Sequence, residues 1–338
     1  MRTAIVPRPS LPPVSFIDVA RLLAVPAFGW VALRDYRTRR VPARTWYPIA
    51  AFGLFALLVE AALTIGESPA FRFFLVRTGF SVGLLVPLAF AFYRMGAFGG
   101  ADAKAMMVLA VFFPTYPLYE VAGVSLPLVV SNVGVFSLSV VTNGVLVGAL
   151  FPLAIAARNL IEGRVSPLMF VGRPIDRSAL LSTHGKLLEA GEGMTLSGMD
   201  LDALRMYLRW RGLSIEDLCE NPETYRDPSS LPTDPHPPTG GAVDPDADPD
   251  PATDSPPDAG GDPAGDPWGT AAFLDSIEGT AYGSTPETLR DGLDLLAARE
   301  TVWVSPGLPF LVPLFVGLLV ALTYGDVLFG IMQVAGVV

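Results

Sequence analysis

The sequence predicts an all-α integral membrane protein: a six-transmembrane-helix bundle with a cytoplasmic, partly disordered insertion between helices 5 and 6. Three observations lead there. The 338-residue chain is 51% hydrophobic. Only 17% of its positions are charged, against about a quarter in soluble domains. Its apolar residues gather in six runs close to the roughly twenty residues that cross the hydrocarbon core of a bilayer.

The runs fall near 15–33, 46–65, 73–93, 104–120, 132–157 and 308–335. Pro7, Pro9, Pro12 and Pro13 precede the first, which therefore reads as a retained helix and not as a cleavable signal. Unpaired backbone groups are too costly in lipid, so each run is a helix or a barrel strand, and continuous apolarity without alternation excludes the barrel. Pro114 and Pro117 lie near the end of the fourth run, and the sixth is long enough to tilt. Residues 1–157 are thus a membrane domain with five helices, and 305–338 carry the sixth.

Arginine sets the orientation. Arg34, Arg37, Arg39, Arg40 and Arg44 follow the first run, and Arg94 and Lys104 follow the third, whereas 66–72 holds one Glu and one Arg. By the positive-inside rule the first two sets face the cytoplasm, both termini face outward, and 158–305 is cytoplasmic. Within 158–226, Leu201, Leu204, Leu208 and Trp210 among Arg205, Arg209 and Arg211 predict an amphipathic helix over 197–212. Ser214 with Asp217 has capping-box spacing. In 268–304 a helix starts at Thr285, with Pro286 in its first turn, and runs to about Glu300. The two regions are expected to be halves of one domain split by 227–267.

That tract holds twelve prolines, ten aspartates and no Lys or Arg, while the rest of the chain balances 23 acidic against 23 basic residues. Such a segment cannot bury enough apolar surface to order itself, and it reads as a disordered linker. Its acidity suits either a chain kept soluble in high salt or a solvated tether. It lacks the glycine-turned loop and closing Glu of a calcium site. Cys219 is the single cysteine, so neither an intrachain disulfide nor a four-cysteine zinc site is available. His184 and His236 read as solvated loop residues. No cofactor, metal or nucleic-acid partner is expected.

Carboxylates at the membrane are functional candidates by default. There are four: Asp18, Asp35, Glu60 and Asp102. Ser15 and Asp18 have capping spacing, with Arg21 one turn on. Glu60 and Arg77 lie at similar depth in the second and third runs and are expected to form a structural ion pair. Asp35 follows the first run, in the arginine-rich loop, and Asp102 precedes the fourth, so the topology puts both at the cytoplasmic face. Around Asp102, the small residues Gly99, Gly100 and Ala101 would let a neighbouring helix or a substrate strand come close. Taken alone, Asp102 would be an N-cap.

The surrounding residues add more. Asp35-Tyr36-Arg37-Thr38-Arg39-Arg40-Val41-Pro42-Ala43-Arg44-Thr45-Trp46 resembles the Asp-x-x-x-Arg-x-Ile/Val-Pro-Asn-x-x-Trp stretch of archaeal type IV prepilin and preflagellin peptidases. Gly99–Lys104 resembles their Gly-x-Gly-Asp-x-Lys motif. Ser305-Pro306-Gly307-Leu308-Pro309-Phe310 is similar to the Pro-x-x-Pro-Phe that opens their last helix. Ala101 stands where Gly is general, and Ala43 where Asn is common. The resemblance covers the six runs and leaves the cytoplasmic region outside. It implies a membrane aspartic endopeptidase with Asp35 and Asp102 catalytic and Gly99, Gly100, Ala101 and Lys104 as supporting motif. Its partners would be membrane lipids and preflagellin and prepilin precursors, relieved of a short basic leader at the cytoplasmic face. With one cysteine the zinc region of the bacterial branch is ruled out, so peptidase activity alone is implied. Two other readings remain: an intramembrane protease of the presenilin or signal-peptide-peptidase type, whose aspartates lie within helices, and a transporter or scaffold without catalysis.

Overall fold

The computed structural model describes residues 16–95, 97–190, 193–236, 240–243, 265–277, 281–307 and 309–337. It divides the chain into two compact units. The first comprises Met1–Tyr36, Val41–Gly148 and Pro309–Val338; the second comprises Arg37–Arg40 and Ala149–Leu308.

The chain opens with α1 (Phe16–Arg21), α2 (Ala24–Thr38), α3 (Trp46–Thr64), α4 (Ser68–Arg94) and α5 (Gly100–Phe112), and after a loop continues in α6 (Phe136–Ile161). Four stretches are long and apolar enough to cross a membrane: Phe16–Thr38, Ala43–Thr64, Pro69–Arg94 and Phe136–Ile161. α2 and α4 outrun the first and third predicted runs because hydropathy marks the lipid-facing part of a helix and not its polar ends. α2 accordingly carries Arg34, Asp35 and Arg37 in its last turns.

The fourth run departs most. α5 begins at Gly100 and ends after 13 residues, because proline pushes the residue before it out of the helical region. Phe113, ahead of Pro114, sits at φ −130°, ψ 57°. The following residues form a hairpin, β1 (Tyr119–Val121) with β2 (Val124–Leu126). Its turn residues Ala122 and Gly123 both have positive φ, as a tight two-residue connection requires.

The second unit is a small mixed domain. Its elements are β3 (Arg173–Asp176), β4 (Lys186–Leu187), β5 (Glu189–Ala190), β6 (Gly193–Met194), α7 (Leu201–Arg211), α8 (Ile215–Glu220), α9 (Pro222–Arg226), α10 (Thr270–Asp275), α11 (Pro286–Ala298) and β7 (Thr301–Ser305). β7 is the central strand, antiparallel to both β3 and β4. Ile175, Leu187, Val302 and Val304 from this sheet share one core with Leu204, Leu208, Trp268, Phe273, Leu289 and Leu293. Sequence before and after the Asp/Pro-rich tract therefore builds a single domain. Ser214 and Asp217 cap α8 reciprocally, at 3.0 and 3.1 Å.

α7 forms as its pattern predicts, but two of its arginines point inward. Arg205 and Arg211 are almost fully buried. A buried guanidinium needs acceptors, and irregular segments supply them. Arg205 donates to the carbonyls of Gly241 at 2.6 Å and Thr183 at 3.0 Å, and Arg211 to Trp268 O and Ser230 Oγ, both at 2.9 Å. Arg209 reaches Gly240 O at 2.7 Å. Ser230 and Gly240–Gly241 of the 227–267 tract are thus held against α7, and at the tract's end Asp266 accepts from the amides of Ala271 and Ala272 at the start of α10. The disorder expected of 237–239 and 244–264 lies outside the described residues.

The last apolar run is two helices, α12 (Leu311–Thr323) and α13 (Val327–Val334). Gly325 interrupts it at φ 103°, and side chains from α6 replace the missing helical bonds. Asn143 donates to Gly325 O at 2.8 Å and accepts from Val327 N at 3.1 Å, while Ser139 donates to Asp326 at 2.6 Å. Asp326 caps α13 through Phe329 N. The first unit's core joins Phe28, Val31 and Ala32 of α2, Ala105, Leu109 and Phe112 of α5, Phe136 and Val140 of α6, and Leu311, Leu314 and Leu318 of α12. α6 and α12 meet at glycine, where a Cβ on Gly317 would lie 2.5 Å from the Gly144 backbone nitrogen.

Candidate active site

Asp35 lies in the last turns of α2 and is 7% exposed. It follows Val31 and Ala32 by four and three residues, on the same helix face. Its expected position in a loop is therefore corrected: the helix continues through the charged residues to Thr38. Location outside a helix consequently no longer separates this site from a presenilin-type arrangement. Asp102 occupies the first turn of α5, where its Oδ2 accepts from Gly99 N at 3.2 Å, and the helix terminus favours its charge.

The two aspartates share one end of the first unit. Arg21 donates to Thr115 at 3.1 Å and to Glu60 at 2.6 Å, and Thr115 donates to Glu60 at 2.7 Å. Phe112 packs on Gly53, where a Cβ would meet its ring at 2.7 Å. Trp46, at the opposite end of α3 from Glu60, packs edge-on against Phe28. α3 thus runs alongside α5 and against α2, which makes α2 and α5 antiparallel. Asp35 stands fourteen residues beyond Arg21 and Asp102 thirteen before Thr115, so at ~1.5 Å per residue both lie roughly 20 Å from the polar cluster. Ala32 beside Asp35, and Ala101 and Ala105 beside Asp102, belong to one hydrophobic cluster.

A Cβ at Gly99 would meet only Asp102 Oδ2, at 3.4 Å; at Gly100 it would meet side-chain atoms of Tyr93 and Lys104, at 3.8 and 3.9 Å. Neither glycine is needed for helix approach within the described chain, whereas Gly53 and Gly317 are. Lys104 is exposed, with its Nζ over Gly100. Within the first unit, Phe98 meets Phe92 edge-on and Phe310 at a tilt, with centroids 5.0 and 4.8 Å apart. Within the second, Arg39 donates to the carbonyls of Pro306 and Gly307 at 3.2 and 3.0 Å.

Other expectations change. The Glu60–Arg77 ion pair does not form: Glu60 pairs with Arg21, which is fully buried, and Arg77 lies over the Phe73 ring and against Gly134. Equal depth along two helices sets the level of two side chains but not their direction around each axis. Asp18 lies 3.8 Å from Arg21, as its spacing suggests. His236 is exposed, but His184 is half-buried, and burial holds its imidazole below the ordinary value. Cys219 donates to Leu296 O at 3.4 Å, and burial raises its thiol pKa. Burial and the neighbouring Asp202 push Asp200 up to about 6. Among the described residues no group of three or more His, Cys, Asp or Glu could hold a metal ion.

A model of the type IV leader peptidase family matches residues 22–153, which include Asp35 and Asp102. A second, the archaeal peptidase A24 C-terminus of type II, matches residues 278–327, which include Ser305–Phe310. No curated protein matches the chain. The two matches together span more than half of this multi-pass membrane protein. The chain belongs to the type IV leader peptidase family, in its archaeal prepilin and preflagellin peptidase branch.

Proposed function

We propose that the protein is an aspartic endopeptidase that removes the short basic leader from preflagellins and prepilin-like precursors at the cytoplasmic membrane face, with Asp35 and Asp102 as its catalytic pair. The observation that supports this reading is the antiparallel course of α2 and α5 through one hydrophobic cluster, with a buried aspartate on one and a half-buried aspartate on the other toward the same end of the first unit. Two carboxylates brought close share one proton and titrate as a pair. The ionised one takes a proton from water, which attacks the scissile carbonyl, while the protonated one donates to the carbonyl oxygen. Collapse of the tetrahedral intermediate expels the amine, which leaves with a proton from the pair.

The membrane edge suits this chemistry. A precursor's peptide bond inside a transmembrane helix has its backbone groups paired, whereas one emerging at headgroup level is open to water and to the pair. The side-chain-free backbone at Gly99 and Gly100 would let such an extended strand approach Asp102. Arginines clustered after Asp35 favour the cytoplasmic face.

Co-expression with a preflagellin, followed by intact-mass measurement of the membrane fraction, tests the reading. A product shortened at its N-terminus by the basic leader is expected. Precursor that keeps its leader beside correctly inserted enzyme would contradict it.

A further inference from the structure

We propose that Arg40, held in a clasp by Asp202 and Tyr282, is a positioning residue for Asp35, to which it is joined through the last turn of α2. The inference rests on the reading of Asp35 as catalytic.

The second unit is built from 149–308 with one exception, the four residues Arg37–Arg40, which begin two residues beyond Asp35. They are held firmly. The Arg40 side chain is 12% exposed and lies 3.4 Å from Asp202 Oδ2. It donates to the Tyr282 hydroxyl and sits over the Tyr282 ring at 5.4 Å. Asp202 is itself gripped by buried Arg205. The clasp thus joins sequence from before and after the Asp/Pro-rich tract. Arg39 adopts φ 55°, a conformation that side-chain-bearing residues rarely hold unless the surroundings impose it. The carbonyls of Pro306 and Gly307 anchor its guanidinium.

Little slack separates these anchors from the aspartate. α2 is helical to Thr38, and the Thr38 hydroxyl bonds both the carbonyl and the amide of Arg40, at 3.0 and 3.3 Å. The direction of the Asp35 carboxyl is therefore tied through one helical turn and one bonded turn to Arg40. A cation that is paired, hydrogen-bonded and stacked at once is not replaced by a point charge. Releasing it would free the end of α2 while leaving the domain core intact.

The test uses full-length enzyme in lipid nanodiscs with a preflagellin substrate. Arg40→Ala is expected to lower kcat at least about tenfold with KM within about twofold, and to shift the midpoint of the pH–rate profile, because a displaced carboxyl couples differently to its partner. Arg40→Lys should recover only part of the rate. Asp202→Asn and Tyr282→Phe each remove one side of the clasp and should move the profile the same way. Arg226→Ala, which breaks the surface pair with Asp294 at 3.3 Å in the same unit, should change nothing. A purely structural role would reduce the active fraction without moving the midpoint, and that result in Arg40→Ala, Asp202→Asn and Tyr282→Phe overturns the proposal. So do an unchanged rate and profile when Asp35→Asn abolishes cleavage. Cleavage that persists in Asp35→Asn would instead defeat the catalytic reading itself.

Discussion

At the scale of single residues, the interior of the membrane unit is organised by Arg21, a fully buried cation with Glu60 and Thr115 as partners. Removing one member of a buried pair strands the other's charge, at about 3–5 kcal/mol. Glu60→Gln should therefore lower the melting temperature clearly, and Glu60→Gln with Arg21→Gln should be milder than either alone; strictly additive losses would separate the two residues. Asp200 gives a pH signature in the second unit. Its folded pKa stands at about 6 against an ordinary 3.8, so the unfolded chain loses this proton first. The stabilisation is complete below 3.8 and is lost as pH rises to about 6. Asp200→Asn keeps a capping acceptor for Asp202 N, bonded at 2.8 Å. The variant should therefore gain stability relative to wild type as pH rises through that window. His184, held low by burial, pulls oppositely as pH falls, so the difference between variant and wild type is the quantity to measure; a pH-independent difference would contradict the assignment. The aspartate candidates were legible because carboxylates beside apolar runs are rare. The partner of Glu60 was not, since only packing decides which way a side chain points from its helix.

At the scale of elements, apolar runs located the four long stretches, and caps at Ser214 and Thr285 located two short helices. What the sequence hid were features set by tertiary partners. The break at Gly325 depends on Asn143 and Ser139, nearly two hundred residues earlier. The inward arginines of α7 depend on carbonyls in an irregular segment that composition alone reads as solvated. The tight crossing of α6 and α12 is equally invisible to hydropathy, since glycine only weakly marks an interface. Gly317→Ala would press a methyl against the Gly144 backbone, which cannot swing aside as a side chain can. A loss on the order of 1–3 kcal/mol is expected, as for other overpacked sites. Unchanged unfolding in detergent would show that the crossing has slack.

At the scale of the whole molecule, an apolar unit carries the aspartates and a polar unit includes Arg37–Arg40, which begin two residues beyond Asp35. The division was legible in composition, but the membership of Arg37–Arg40 was not, because a basic loop beside a membrane helix already has a sufficient explanation in topology. The proposed function requires two residues 67 positions apart in sequence to act as one. Asp→Asn keeps size and most hydrogen bonding while removing the shared ionisable proton, and members of a catalytic unit are strongly non-additive. The most direct measurement is leader removal from preflagellin, read by intact mass, for Asp35→Asn, Asp102→Asn and the double variant, each confirmed as inserted. Each single change should abolish cleavage and the double should be no worse. Cleavage that survives in either single variant would contradict an aspartic mechanism at this site.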